Sequence, residues 1–211
     1  MDSADWYTPS AFVEAAREVM GEIDLDPASH EEANRTVKAA RFFTIEDDGL
    51  QQAWRGRVFV NAPGGKYGDT RQSNVPLFWR KLVESSGVTQ AVWIGYSMEQ
   101  LQTLQQAGAH VTPLDFPFCI PNTRIAFIEN EAMHVKRVTK IREENAIRAA
   151  KGEKLKSEKN GPSHSNYICY IGPNVDAFVR VFSQFGKVVL PLEVFLPRAA
   201  ARASLPKGSA T

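Results

Sequence analysis

The sequence has few cysteines, which limits the kinds of site it can build. Its 211 residues include only Cys119 and Cys169, each in an apolar context and neither in a CxxC or Cys/His spacing of the kind that binds zinc. We therefore expect no metal site. Buried free thiols in a reducing compartment fit both positions.

A long hydrophobic run is also missing. No apolar stretch approaches the roughly 20 residues that span a bilayer, and the N-terminal segment Met1-Asp2-Ser3-Ala4-Asp5 lacks the basic and apolar regions of a secretory signal. These absences predict a cytoplasmic protein without membrane contact. Neither sign of charge is in excess, since the formal net charge is +1, and this balance neither favours nor excludes a polyanionic partner.

The charge that is present is distributed unevenly. Between residues 135 and 160, nine Lys or Arg stand against four Glu, a local excess of five positive charges. Such a segment suits a clamp on the DNA backbone, because neutralisation of phosphates drives nonspecific affinity. The alternative is a solvated helical face whose Glu residues pair with neighbouring basic side chains.

The chain is rich in alternating strand-like and helix-like segments. Its size and its 43% hydrophobic content predict one domain over residues 1–196, followed by a disordered tail at 197–211. The patterns predict helices at 10–20, 30–40, 74–86, 98–108 and 176–185, and strands at 22–26, 57–60, 91–95, 110–114, 124–128, 165–171 and 186–190. This order predicts an α/β fold with a mostly parallel sheet, helices on both faces and a basic helical excursion at 135–160.

Two predicted strands end in polar, sharply turning sequences. Asp26-Pro27-Ala28-Ser29 follows the first, and Asn61-Ala62-Pro63-Gly64-Gly65 follows the second. Ligands of open α/β sheets bind outside the carboxyl ends of the strands, so both loops are candidate site elements. The alternatives are that Asp26 is only a helix N-cap and that Asn61 belongs to a plain turn.

The ordered motifs resemble the phage-type DNA N6-adenine methyltransferase family. The similar segments cover roughly residues 5 to 192 and include Thr8-Pro9, Ile23 to Ser29, Phe42 to Trp54, Val58 to Pro63, Phe118 to Phe127, Gly161 to Asn166, and Phe185 to Val189. The resemblance implies a Rossmann-like methyltransferase fold, S-adenosylmethionine as cofactor and DNA as partner. It also implies methylation of the exocyclic N6 of adenine, in a bacterial or phage-infected cell.

The resemblance also assigns roles to individual residues. The catalytic loop would comprise Asn61, Ala62, Pro63 and Gly64, with Tyr67 nearby. The cofactor-binding residues would be Tyr7, Thr8, Pro9, Asp26, Pro27, Ala28, Ser29, Asp47, Asp48 and Asn61. Together with the basic segment, it suggests DNA contacts from Lys66, Arg124, Lys136, Arg137, Lys140, His164 and Asn166, a structural role being the alternative for His164.

The catalytic loop departs from the family pattern of Asn or Asp, Pro, Pro and an aromatic. Ala62 takes the place of the first proline and Gly64 that of the aromatic, which would stack on the flipped base. Tyr67 is a candidate substitute for that aromatic. Two further hypotheses stay open: a different base modification on the same scaffold, and a DNA-binding module without catalysis.

Overall fold

Seven strands form the main sheet of the computed structural model, which describes residues 6–158 and 164–194. Along the sheet they lie in the order β3 (Arg41–Phe42), β2 (Leu25–Asp26), β4 (Gly56–Val60), β5 (Val88–Gly95), β8 (Tyr167–Ile171), β6 (Phe118–Pro121) and β9 (Gly186–Val189). The strands from β3 to β5 are parallel, whereas the pairs β5–β8, β8–β6 and β6–β9 are antiparallel. The α/β class is confirmed. The sheet is mixed: five strands run in one direction, and β8 and β9 run against them, so the expectation of a mostly parallel sheet is met in part.

The route of the chain explains the reversed strands. β6 runs in the same direction as β5, since both pair antiparallel with β8, so β6 ends at the edge where the parallel strands also end. The chain makes its long excursion from this edge and returns to it before β8. Strand β8 must therefore run the opposite way, because a parallel strand would have needed a crossover to the other edge.

Helices cover both faces of the sheet, as the alternation predicted. Helices α1 (Ser10–Met20), α2 (Glu31–Val37) and α6 (Val175–Phe182) contribute to one hydrophobic cluster, and α3 (Asn74–Glu84) and α4 (Glu99–Gln106) to another. Successive strand residues point to opposite faces, so Phe59 enters the first cluster and Val58 the second. Cys119 and Cys169 are buried free thiols, one in each cluster.

Two of the predicted strands are wrong. The segment at 110–114 leads into a 3-10 turn at Pro113–Asp115, because the Thr112 hydroxyl accepts the Leu114 amide while the Asp115 carboxylate accepts the Thr112 amide. The strand lies farther along, at β6. The predicted strand at 124–128 is also absent from the main sheet: only β7 (Ile128–Glu129) is extended, and it pairs with β1 (Trp6–Tyr7) in a separate two-stranded sheet.

The basic excursion is a long helix followed by an irregular return segment. Helix α5 (Glu131–Ala150) has 20 residues, extends for about 30 Å and has no fully buried residue. Residues 151–158 return along it: the Asn145 amide bonds to both backbone groups of Lys156 at 2.7 and 2.9 Å, and Arg148 donates to the Lys154 carbonyl at 2.7 Å. We call residues 131–158 the arm.

Some sequence predictions fall on residues that the structure does not describe. These are the last positions of the predicted domain, the tail at 197–211, and residues 159–163, which include the Gly161-Pro162-Ser163 motif. Among residues 6–158 and 164–194, no helix has the length and apolar character needed to cross a bilayer.

Candidate functional site

The two polar loops leave the sheet at the same edge. Strands β2 and β4 are parallel neighbours, with Leu25 opposite Val58, and each runs directly into its loop at Asp26 and Asn61. Hydrogen bonds between Arg57 and Asp24 stabilise the pairing of the two strands. The backbone N–H and the Nε of Arg57 donate to Asp24 Oδ2 at 2.7 and 2.8 Å. These hydrogen bonds from Arg57 lower the pKa of Asp24. The structure thus brings the two loops that the sequence singled out to one edge.

Asp26 is a buried carboxylate, 4% exposed. Its Oδ1 accepts the backbone N–H of Ala28 at 3.2 Å, whereas α2 begins five residues later with no side-chain cap. The alternative of a helix N-cap is therefore wrong for Asp26. Burial raises its pKa to about 6, against the opposing effects of the Ala28 amide and the Ser29 hydroxyl.

Two further hydroxyls are buried: that of Ser29, three residues after Asp26, and that of Thr8, two residues after the Trp6 carbonyl that Asn61 contacts. Thr8 is 6% and Ser29 is 9% exposed, and within the described ranges neither Thr8 Oγ1 nor Ser29 Oγ completes a hydrogen bond of normal geometry. A buried hydroxyl can donate and accept hydrogen bonds, so both side chains could bind a polar group. Both belong to the set of cofactor-binding residues that the sequence predicted.

Asn61 ties the N-terminal segment to the end of β4. Its Nδ2 donates to the Trp6 carbonyl at 3.1 Å, which fixes the orientation of the amide. Among the described residues no donor contacts Asn61 Oδ1, so this oxygen is available to accept a hydrogen bond from a ligand. Ala62, the next residue, is largely buried, and the carbonyls of Gly64 and Gly65 accept from Asn74 at 3.0 and 3.1 Å.

The acidic loop after β3 packs directly on the Asp26 turn. A Cβ atom on Gly49 would lie 2.0 Å from the Pro27 carbonyl oxygen, so only glycine permits this approach. Asp47 accepts from the Thr44 backbone N–H at 2.8 Å and from its hydroxyl, and these bonds lower the pKa of Asp47. Asp48 accepts from the Tyr67 hydroxyl, which also accepts from Gln51 Nε2 at 3.1 Å.

Tyr67 therefore anchors the loop after Asn61 to the acidic loop. Its hydroxyl is engaged with Asp48 and Gln51, a position that the sequence did not predict. Gly64 has no atom within 4 Å of the position that a Cβ would occupy, so a side chain would fit there. Lys66 forms an exposed bridge with Ser73.

A groove of about 800 Å³ lies beside the N-terminal segment, at the root of the arm. It brings together Tyr7, predicted to contact the cofactor, and Lys136, predicted to contact DNA. The Tyr7 hydroxyl donates to Glu32 at 3.0 Å, and its ring lies 5.3 Å from the His30 ring. The sequence reasoning missed Glu32, whose only signal was its position in the first turn after the Asp26 loop. The remaining lining residues are Asn130, Glu131, Ala132 and Val135.

The predicted DNA-binding residues are in unlike environments. Lys136 and Lys140 lie on α5, as does Arg137, but the Arg137 guanidinium is bonded to Glu129 at 2.7 Å and to the Glu158 carbonyl at 2.8 Å. The bond from Arg137 lowers the pKa of Glu129. Arg137 thus secures the arm to β7.

Asn166 is buried and holds two backbone segments together. Its Oδ1 accepts from the Ile125 N–H at 2.8 Å and its Nδ2 donates to the Tyr96 carbonyl. We assign it a positioning role. Arg124 is exposed beside this segment, and His164 packs its ring 4.3 Å from Tyr96, an exposed aromatic that the sequence reasoning missed.

Comparison with known proteins adds no assignment. No protein-family model matches the chain, and no curated protein matches its sequence. No group of three or more His, Cys, Asp or Glu side chains within residues 6–158 and 164–194 is arranged to hold a metal ion.

Proposed function

We propose that the chain is an S-adenosylmethionine-dependent DNA methyltransferase with a Rossmann-like fold that modifies the N6 of adenine. The observation that carries the proposal is the shared edge: a buried carboxylate at Asp26 and an oriented amide at Asn61 terminate neighbouring parallel strands. The carboxyl edge of such a sheet is the usual place for ligands. The motif resemblance supplies the class of reaction.

The residues around Asp26 suit the cofactor. The buried hydroxyls of Thr8 and Ser29 are candidate hydrogen-bonding partners for its polar groups, and the Asp26 carboxylate, ionised above a pKa of about 6, is a candidate partner for its ammonium or ribose hydroxyls. Pro27 and Ala28 follow Asp26 directly, and the loop that carries Asp47 and Asp48 packs on the Pro27 carbonyl through Gly49. When bound, S-adenosylmethionine supplies an electrophilic methyl group.

Asn61 orients the acceptor. Its Oδ1 and a carbonyl of Ala62 or Pro63 accept the two N–H hydrogens of the adenine amine, which turns the nitrogen lone pair toward the methyl group. With the cofactor bound, the transfer would form the N6–C bond, break the S–C bond of the sulfonium to leave a neutral thioether, and release one N6 proton to water. Alignment and preorganised acceptors provide the acceleration, so no general base with a shifted pKa is required.

The test is nucleoside mass spectrometry of unmethylated DNA after incubation with the protein and S-adenosylmethionine. We expect N6-methyladenine from the wild type and a loss of about 100-fold or more in rate for Asn61→Ala, since an oriented polar group is removed. Asn122→Ala is the matched control, because Asn122 is an exposed asparagine after β6, three strands from β4.

The alternatives have distinct outcomes. A modified nucleoside other than N6-methyladenine would support a different base modification. Cofactor binding in calorimetry without any modified base would reject methylation of DNA. DNA binding without cofactor binding would support the non-catalytic module.

A further inference from the structure

An exposed aromatic residue, Tyr96, follows β5, the strand that pairs with β4. In the β4–β5 pair Val60 lies opposite Trp93, so the residues that follow, Asn61 on β4 and Ile94 on β5, leave side by side. Adjacent strands are separated by about 4.8 Å. Tyr96 is the first residue after β5, and Asn61 is the first residue after β4, so both lie at the edge where these two paired parallel strands end.

The Tyr96 ring is exposed although its backbone is firmly held. The side chain is 41% exposed, whereas the aromatic residues Trp93 and Tyr167 nearby are fully buried. Asn166 donates to the Tyr96 carbonyl, and the Tyr167 ring packs so closely on Gly95 that a Cβ there would lie 2.1 Å from it. An exposed ring on a fixed backbone costs little ordering entropy when a planar ligand binds to it.

His164 supports the ring from the side of the returning chain. The two ring centroids lie 4.3 Å apart at an interplanar angle of 47°, so His164 limits the positions that the Tyr96 ring can take. Among the tyrosines near the loop, Tyr67 has its hydroxyl engaged with Asp48 and Gln51. Among the described residues, the Tyr96 hydroxyl makes no comparable hydrogen bond.

We propose that Tyr96, positioned by His164, is the stacking surface for the nucleobase presented to Asn61. This inference rests on the proposed function and supplies what the catalytic loop lacks, an aromatic at the place of Gly64. Any nucleobase has a face that stacks on a tyrosine ring, so the Tyr96 ring would contribute affinity for bases in general. Asn61 would contribute the recognition of an amino group.

The test uses single-stranded oligonucleotides, in which a base reaches the ring without leaving a duplex. Fluorescence anisotropy compares an oligo(dA) with an oligonucleotide of the same length that carries abasic sites. We expect Tyr96→Leu to weaken oligo(dA) binding about tenfold, as the removal of one stacked base would, and to leave binding of the abasic strand unchanged. Tyr96→Phe, which retains the ring, should bind both as the wild type does.

A rescue variant separates stacking from general damage. Because a side chain at position 64 meets open space, Gly64→Tyr in the Tyr96→Leu background should restore most of the affinity for oligo(dA). Circular dichroism verifies that each variant is folded. Equal binding of oligo(dA) by Tyr96→Leu and wild type, or an equal weakening on both strands, would overturn the assignment of Tyr96.

Failure of the stacking role and failure of the methyltransferase role give different results. If the wild type methylates DNA and Tyr96→Leu retains its kcat and KM for DNA, only the stacking proposal falls. If the wild type modifies no base but Tyr96→Leu loses its preference for oligo(dA) over the abasic strand, the stacking role of Tyr96 is supported and the methyltransferase activity is rejected.

Discussion

Asp26 combines a cost to stability with a role in the proposed site. Its pKa of about 6 in the folded protein exceeds the ordinary 3.8, so the folded chain holds this proton more tightly than the unfolded chain does. The stability gained from the protonated form is fully present below pH 3.8 and is lost as the pH rises through 6. At neutral pH the buried charge costs at most about 3 kcal/mol.

We expect Asp26→Asn to raise the free energy of unfolding at pH 7 and to abolish cofactor binding. The amide oxygen can still accept the Ala28 N–H, while the buried charge is gone. Urea denaturation at pH 4 and pH 7 checks this: the variant should gain about 2–3 kcal/mol over wild type at pH 7 and little at pH 4.

Asp24 is the matched control for this substitution. Its pKa is lowered by the hydrogen bonds from Arg57, so Asp24→Asn should destabilise the protein at pH 7, the opposite sign. Equal stability of Asp26→Asn and wild type at pH 7 would contradict a buried charge at Asp26.

Sequence reasoning located the residues whose signal is local. Asp26 and Asn61 stand where an apolar alternation stops and turn-forming residues begin, so each could be assigned to a strand end. The contacts of Tyr67 with Asp48 and of Tyr96 with His164 join residues 19 and 68 positions apart, and only tertiary packing determines them. Asn166 was predicted as a site residue because its polar side chain adjoins a strand end, yet it is used inside the fold.

Among the elements, the arm is the one on which the proposed binding of DNA depends most. Several of its cations hold the arm together: Arg142 pairs with Glu158 at 3.0 Å and Lys156 with Glu144 at 2.6 Å. Within residues 6–158 and 164–194, no ion pair shorter than 4.0 Å holds Lys140, Lys151 or Lys154, although the charge of Lys140 contributes to lowering the pKa of Glu144. These three are the cations we expect to contact phosphates.

Replacing Lys140, Lys151 and Lys154 together with Ala should weaken DNA binding independently of sequence. The slope of log K against log salt concentration should become shallower by up to about 0.9 for each duplex phosphate that the arm no longer neutralises. Anisotropy titrations across a range of salt concentrations give this slope, and Lys187→Ala on β9, at the far end of the sheet, is the control. An unchanged slope would show that the arm is a solvated helical face.

The elements that sequence reasoning predicted best are those with an unambiguous period and a clear stop. Residues 10–20 carry an amphipathic pattern that ends at Gly21, and α1 has those bounds. The strand at 110–114 failed because Thr112 and Asp115 satisfy the backbone of a Pro-containing turn, a local competition that apolar alternation does not reveal. The reversed direction of β8 depends on where the arm leaves the sheet, which no local pattern encodes.

At the scale of the whole molecule, the small sheet joins two regions that the sequence treated separately. Trp6 and Tyr7 pair with Glu129 and Ile128, so the segment beside Asp26 and Asn61 is hydrogen-bonded to the root of the arm. The Trp6 carbonyl also accepts a hydrogen bond from Asn61 Nδ2. A shift of β1 would therefore change both the position of Asn61 and the position of the start of the arm.

Breaking the pairing of β1 with β7 should remove the effect of each ligand, S-adenosylmethionine or DNA, on the affinity for the other. We expect S-adenosylmethionine and DNA to tighten each other's binding in the wild type, and Ile128→Pro to reduce the coupling factor toward one, because proline removes a backbone donor from β7. Ile128→Ala is the control, since the side chain is largely exposed. Calorimetry with and without the other ligand gives the factor, and equal coupling in both variants would contradict the role of β1–β7.

If both ligands bind as proposed, the two-residue strand β1 would act as a thermodynamic link between them. Heterotropic cooperativity is reciprocal: whatever factor the cofactor contributes to DNA affinity, DNA must return to cofactor affinity. Such a protein would hold its methyl donor weakly when searching and strongly once seated on a nucleic acid.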